Sequence, residues 1–326
     1  MIVVIGEALI DLIEDKSTAG RYQAVVGGAN ANVAIALARL GAKQQLLARI
    51  SSDPFGQKIR QRLVDNNVGL AYAIAASEPT SVAIASIGSA GGASYSFYVE
   101  NTADWGWSEG ELPTQQTMAD MGATALQFGC LTMAMPPGNA VIEAWAKELF
   151  EKEMLTLSHD VNVRPALGFD RDEERARVER VNSFSHLIKA SDDDINWLYG
   201  LEPGSNVDQI AWDWIGNTSK IVFVTRGGDG VSIYRKGNVK LDVPSRKVSV
   251  QDTVGAGDTF CANTLAQLQK LGALGTDAFE RLEQLSDKQL IEIARVSAVA
   301  ASMACEKTGA EPPTDAELAD LLVLLA

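Results

Sequence analysis

The feature that most restricts the fold of this chain is a repeated alternation of short apolar runs with helical patterns. Ile2–Ile5 is the first such run; Gly6 closes it, and its uninterrupted apolar character suits a strand buried on both faces. Gly27-Gly28-Ala29-Asn30 then opens a helical stretch with Val33, Ile35, Ala36, Leu37 and Leu40 apolar, and Gly41 follows as a C-terminal stop. A strand over Gln45–Ile50 and a helix over Pro54–Asn66 come next. Further strands are expected at Ala125–Phe128, Leu155–Val161, Leu187–Lys189 and Ile221–Thr225. Helical patterns at Ala140–Glu153, Glu173–Val181 and Asp208–Trp214 separate them, and Leu290–Lys307 is a later helix. Strands that alternate with helices specify an α/β fold: a mostly parallel sheet with helices on both faces.

One region breaks that rhythm. Ser81–Gly88 and Ser94–Val99 read as two strands joined by the flexible Gly88-Ser89-Ala90-Gly91-Gly92, with no helix between them. Tyr22–Val26 is a further strand of this type. These pieces predict a small β-sheet lid, with segments at about 11–26 and 80–103 inserted into a single domain spanning 1–326. No internal repeat, low-complexity tract or interdomain linker stands out.

Composition narrows the function. The 326 residues carry 28 Lys and Arg against 42 Asp and Glu, a net charge of −14. Such a chain has no overall attraction to nucleic acid or an anionic membrane surface, although a local basic pocket still suits a small anion. Cys130, Cys261 and Cys305 show no Cys-x-x-Cys spacing, and His159 and His186 lie apart, which argues against a disulfide scaffold or a zinc site. The first residues carry no basic segment, and no run of about 18 apolar residues occurs, so a cytoplasmic protein without a membrane partner is expected.

The chemistry concentrates in Asp252-Thr253-Val254-Gly255-Ala256-Gly257-Asp258-Thr259-Phe260, which an apolar helical stretch follows. Unpaired amides at a helix start, with the helix dipole behind them, make an anion hole that small residues leave open to a phosphate. Asp258 stands at its mouth, where a carboxylate repels a resting phosphate. It reads either as a helix cap or as a general base that takes a proton from an attacking hydroxyl. Gly-x-x-x-x-Gly-Lys-Ser/Thr does not occur, and Gly255-Ala256-Gly257 lacks the third glycine of a dinucleotide fingerprint.

This stretch resembles the Asp-Thr-x-Gly-Ala-Gly-Asp signature of the ribokinase-like (PfkB) sugar kinases. Gly27-Gly28-Ala29-Asn30-Ala31-Asn32-Val33-Ala34, continuing through Ala38-Arg39-Leu40-Gly41, resembles that family's first signature. The resemblance implies a three-layer ribokinase-like fold with a β-lid, and transfer of the γ-phosphate of ATP to a sugar hydroxyl. Asp258 is then the base, and Gly255, Ala256 and Gly257 form the hole that meets the charge of the transferring group. By the same resemblance Asp11, Asn32, Gly27 and Gly28 hold the sugar.

Asp160-Val161-Asn162-Val163-Arg164-Pro165 resembles the Asp-x-Asn-x-Arg segment of fructokinases and ketodeoxygluconate kinases, which implies that Arg164 reaches the substrate or the transferred phosphate with Asn162 nearby. Lys189–Asp194 aligns with the family's Asn-x-x-Glu element, with Ser191 in place of the asparagine and Asp194 in place of the glutamate; it implies contact with Mg2+ through water. Thr225, Gly227 and Gly230 match the turn that contacts ATP phosphates. A monovalent cation such as K+ would meet the carbonyls of Asp252, Val254, Ala304, Lys307 and Gly309. Tyr95 and Phe97 would cover the sugar, and the lid would serve a homodimer.

Gly6-Glu7 and the Gly-Gly-Ala-Asn-Ala-Asn form of the first signature are closer to fructokinases than to ribokinases. The resemblance therefore implies a fructokinase acting on D-fructose. 2-Keto-3-deoxygluconate, a nucleoside or another sugar are alternative acceptors, and a non-catalytic sugar-binding relative is the alternative outside the class.

Overall fold

The computed structural model describes residues 1–15, 18, 20–87 and 93–325, with the side chains of 85–87 and 93–95 excepted. Among the described residues the main sheet has eight strands, in the spatial order Val239–Val243, Val231–Arg235, Ile221–Thr225, Leu187–Ser191, Thr156–Asp160, Ala125–Gly129, Ile2–Ile5 and Gln44–Leu47. From Ile221–Thr225 to Gln44–Leu47 every pairing is parallel, and the two remaining pairings, on either side of Val231–Arg235, are antiparallel.

The first strand explains the layering. Ile2 and Val4 enter a core shared with helices Ala29–Arg39, Ala256–Lys270 and Asp287–Cys305, whereas Val3 and Ile5 enter a second core with helix Gly138–Glu151. Side chains of a strand alternate between faces, so only an unbroken apolar run serves both layers. Each fully buried Ile or Val contributes about 1.5–3 kcal/mol. Ile188, Val222 and Val224 form a third core under helices Arg171–Ser183, Asp192–Tyr199 and Asp208–Ile215.

The strand expected over Gln45–Ile50 is two strands. Gln44–Leu47 stays in the main sheet, and Arg49–Ser51 leaves it to pair with Ile74–Ala76. Arg49 accounts for the break: its buried guanidinium donates to Ala103 O at 2.9 Å and pairs with Glu78 at 2.7 Å and with Glu111.

The lid is a four-stranded sheet in the order Tyr22–Gly27, Leu9–Glu14, Val82–Ile87 and Ala93–Tyr98. Its outer pairs are antiparallel and its central pair is parallel. It begins at Leu9 rather than near residue 11, because Leu9 and Ile10 are buried at its root. The expected turn over Gly88–Gly92 lies outside the described residues. Register places Asp11, Ala83 and Phe97 in one row on one face, and Ile10, Val82 and Tyr98 on the other. Gly6, Cys130, Asp160, Ser191 and Thr225 all lie at or just beyond the carboxyl ends of parallel strands, the edge where open α/β sheets place ligands.

Candidate active site

Helix Ala256–Lys270 starts from Gly255, whose φ of 77° is left-handed and costs glycine nothing. Its first-turn amides at Gly257 and Asp258 have no intrahelical acceptor, while Ala256 N turns back toward Thr253 O at 3.3 Å. Asp258 does not cap this helix. It is buried, and its Oδ2 accepts a hydrogen bond from Asn32 Nδ2 at 2.8 Å. Asn32 belongs to the buried face of helix Ala29–Arg39, so the contact joins the two signature stretches.

Behind the hole lies a buried ion pair. Lys189 Nζ donates to Asp160 at 3.0 and 3.3 Å, and Cys261 Sγ donates to the same carboxylate at 3.4 Å. A Cβ added at Gly257 would come within 2.8 Å of Lys189 Nζ, so the ammonium sits directly under the first turn. Lys189 stays protonated: burial opposes its charge most strongly of any single cause, and Asp160, Cys261 and Asp194 together outweigh burial. Sequence reasoning gave Lys189 no role, yet an isolated lysine between Ile188 and Ala190 in a buried strand was the available signal.

The lid supplies the opposite wall. Asp11 lies so close to Gly27 that a Cβ there would stand 2.1 Å from Asp11 Oδ2. Gly28 has φ 104°, and a Cβ on it would meet Glu7 O at 2.5 Å, so only glycine fits this crossing. Phe97 is half-buried and packs with Val99, Cys130 and Leu131, bridging lid and main domain. Tyr95 pairs through its backbone with Ala85, and its side chain lies outside the described residues.

Arg164 follows strand Thr156–Asp160 and donates to the side chain of Asn162, whose φ of +36° is unusual for a residue with a side chain. Such strain clusters at functional sites. Asp194 receives Val163 N at 3.0 Å on Oδ1, and Ser191 N and Oγ at 2.8 and 2.7 Å on Oδ2. With Asp194 N donating back to Ser191 Oγ, this is a capping box at the start of helix Asp192–Tyr199. Ser191 pairs in register with Thr225 on the next strand. Gly227 and Gly230 then turn the chain into strand Val231–Arg235.

The expected cation loops also adjoin. Asp252 Oδ1 accepts from Val254 N at 3.0 Å and Oδ2 from Gly309 N at 2.8 Å, tying the two segments together. Ala304 O accepts from Lys307 N at 3.1 Å, and Gly309 O from Glu311 N at 2.9 Å. Among the described residues no group of three or more His, Cys, Asp or Glu side chains is arranged to hold a metal ion.

Electrostatics mark two carboxyls. Burial pushes Asp258 up to about 7; the Asn32 hydrogen bond holds it back, Asp160 pushes it further, and Lys189 and Arg164 oppose. Burial pushes Asp11 up to about 6, with Arg164 opposing and Asp252 adding to the rise. Asp11, Arg164 and Asp258 thus share one electrostatic environment. A carboxyl with a proton affinity near neutrality, beside a cluster of donors, is suited to taking a proton from a hydroxyl and passing a phosphoryl group across.

Comparison with known proteins agrees with this chemistry. Residues 1–317 match the pfkB family carbohydrate kinase domain. The chain is 35% identical over 275 residues to a fructokinase of Rhizobium leguminosarum bv. trifolii, covering 82% of this chain and 80% of that one. The fold resembles a fructokinase of Xylella fastidiosa with bound ATP, at a TM-score of 0.86 and 22% identity over 99% of this chain and 98% of the other. It also resembles a double mutant of the fructokinase of Vibrio cholerae O395 in a fructose-, ADP- and potassium-bound form, at a TM-score of 0.79 and 24% identity over 98% and 97% of the two chains. The architecture is ribokinase-like. With its two signature stretches meeting at Asp258, the chain belongs to the pfkB family of carbohydrate kinases.

Proposed function

We propose that the protein is an ATP-dependent fructokinase that converts D-fructose to fructose 6-phosphate. The observation that carries the reading is the buried Asn32–Asp258 contact at the mouth of a helix start with free amides. Asp258 Oδ accepts the proton of the sugar hydroxyl as its oxygen attacks the γ-phosphorus of ATP. The new P–O bond forms as the bond to the β-phosphate oxygen breaks, and ADP leaves. The amides of Gly255 and Gly257, the helix dipole and Lys189 meet the negative charge of the transferring group, with Ala256 between them leaving room for the phosphate. Asp11, Gly27, Gly28, Asn32, Phe97 and Tyr95 surround the sugar, and Arg164 spans acceptor and phosphoryl group.

Asn162, Ser191, Thr225, Gly227 and Gly230 line the nucleotide side. Mg2+ enters as MgATP: both Asp194 oxygens are already engaged, and Mg2+ commonly relies on substrate phosphates and water. Carbonyls of Asp252, Val254, Ala304, Lys307 and Gly309 take a monovalent cation beside the hole. Tyr98, on the last strand of the lid sheet, is 62% exposed and marks the contact of a homodimer. We place the protein in the cytoplasm, where ATP is available and its three free thiols stay reduced; among the described residues no helix is long and apolar enough to cross a membrane.

Arg164, coupled to Asp11, favours one second reading: a sugar acid such as 2-keto-3-deoxygluconate, whose carboxylate an arginine recognises. ADP release from MgATP with fructose, ketodeoxygluconate, ribose and an aminoimidazole riboside tests both. Turnover confined to fructose supports the first reading, and turnover confined to the acid replaces it with the second. Silence with all four, from folded protein with K+ present, leaves a non-catalytic sugar binder.

A further inference from the structure

We propose that Glu7 and Asp104 are positioning residues that clamp the four chain crossings between lid and main domain, and so fix Asp11 against Asn32 and Asp258. The consequence for catalysis rests on the sugar-kinase reading; the clamp itself rests on geometry. The crossings are Glu7-Ala8 before lid strand Leu9–Glu14, Gly28 after Tyr22–Gly27, Ser81 before Val82–Ile87, and Val99–Thr102 after Ala93–Tyr98.

Glu7 is 1% exposed and holds the first two crossings to the main sheet. Its Oε1 accepts from Ala29 N at 3.0 Å, and its Oε2 from Asn30 Nδ2 at 3.0 Å and from Thr132 Oγ1 at 2.5 Å. Glu7 N donates to the same threonine hydroxyl at 3.0 Å. Asp104 is 2% exposed and holds the first, third and fourth crossings. Its Oδ1 accepts from Ala8 N at 2.8 Å, and its Oδ2 lies 2.5 Å from Ser81 Oγ. Ser81 Oγ is 2.5 Å from Thr102 Oγ1, which donates to Val99 O at 3.0 Å.

A row of hydroxyls carries the hold of Asp104 to the fourth crossing. Ser81 Oγ donates to Asp104 Oδ2 and Thr102 Oγ1 donates to Val99 O, with the two hydroxyl oxygens in contact between them. Burial favours the neutral form of Asp104 and pushes it up to about 7; the Ser81 and Ala8 donors hold it back, and Glu7 adds to the rise. Glu7 is the charged group that acts on it, and Arg49, on the neighbouring Ala103 O, is directed to Glu78 and Glu111. Asp11 lies three residues beyond the held Ala8 and Asn32 two beyond the held Asn30, so a slack crossing displaces both sugar ligands.

Asparagine at 104 keeps the shape of the acid without its charge: its carbonyl can accept from Ala8 N, and its amide can meet Ser81 Oγ once the serine proton turns to Thr102. The test compares Asp104→Asn, Asp104→Ala and Ser81→Ala in the full chain by hydrogen-exchange protection of Leu9–Glu14 and Val82–Ile87 without ligands, and by steady-state kinetics with fructose and MgATP. At pH 6.5 Asp104→Asn should keep lid protection and fructose KM within twofold of wild type, and should keep both at pH 8.5, where wild-type protection falls. Asp104→Ala should lower lid protection and raise fructose KM at least tenfold, with ATP KM within twofold. Should Asp104→Ala fail to fold, Ser81→Ala, which removes one hydroxyl from the row, carries the same expectation. Unchanged lid protection in the alanine variants, or an asparagine variant as damaged as alanine, overturns the clamp. A wild-type protein that ignores fructose refutes the fructokinase reading, and the exchange measurement still decides the clamp.

Discussion

Asn32 and Asp258 stand 226 positions apart in the chain, and their side chains meet at 2.8 Å. Asn32 comes from a helix that begins where the lid returns to the main domain, and Asp258 from the first turn of the helix that carries the anion hole. The contact therefore ties the sugar wall to the phosphoryl-transfer wall. Because an amide donor favours the charged form of a carboxyl, it also moderates how strongly burial raises the proton affinity of Asp258.

Replacing Asp258 with asparagine keeps the size of the side chain and removes the base. Turnover should fall by about 10²–10⁴-fold, the range typical of a lost general base. Fructose and ATP affinities measured by calorimetry should stay within a few-fold. An unfolded product would return Asp258 to a structural role.

The pH profile follows from the same group. Asp258 accepts a proton only when ionised, so kcat/KM for fructose should rise with pH and level off above about 7. Asn32→Ala removes a donor to the ionised carboxylate and should move the midpoint to higher pH, with a raised fructose KM. A midpoint that stays put or moves down would show that Asn32 does not govern the base.

Two glycines should resist even a methyl group, each for a different reason. Gly27→Ala drives a Cβ into Asp11 Oδ2, which has to move, so fructose KM should rise with ATP KM nearly unchanged. Gly257→Ala presses on Lys189 Nζ and narrows the hole, so kcat should fall more than either KM changes. Kinetics of the pair side by side check the separation of the two walls.

Asp194 completes the capping box of its helix with Oδ2 and accepts from Val163 N with Oδ1. Asp194→Ala should cost about 1 kcal/mol of stability, in the range of a lost cap. The dependence of rate on free Mg2+ should stay as in wild type. A strong rise in the Mg2+ requirement would instead give Asp194 a part in holding the metal through water.

Much of the site was legible because its motifs are local: Gly27–Asn32 and Asp252–Phe260 each carry their chemistry within a few residues. The parallel strands were legible because burial on both faces demands unbroken apolar runs such as Ile2–Ile5. The split between Leu47 and Arg49 was not, since its cause is a guanidinium that meets Ala103, Glu78 and Glu111 far along the chain. Glu7 was visible only as part of a resemblance, and Asp104 not at all: each is a single acid in a short connection, and their links to Ala29, Thr132, Ala8 and Ser81 exist only once the lid has folded. The Lys189–Asp160 pair likewise depends on two strands lying in parallel register.

The most direct test of the account is ADP release from MgATP with D-fructose, by wild type and by Asp258→Asn at pH 7.5. The account predicts turnover that requires fructose in wild type and falls at least a hundredfold in the variant, with both proteins folded. Equal rates in the two proteins would contradict the assignment of Asp258 as the base, and no fructose-dependent release from folded wild type would contradict the fructokinase reading.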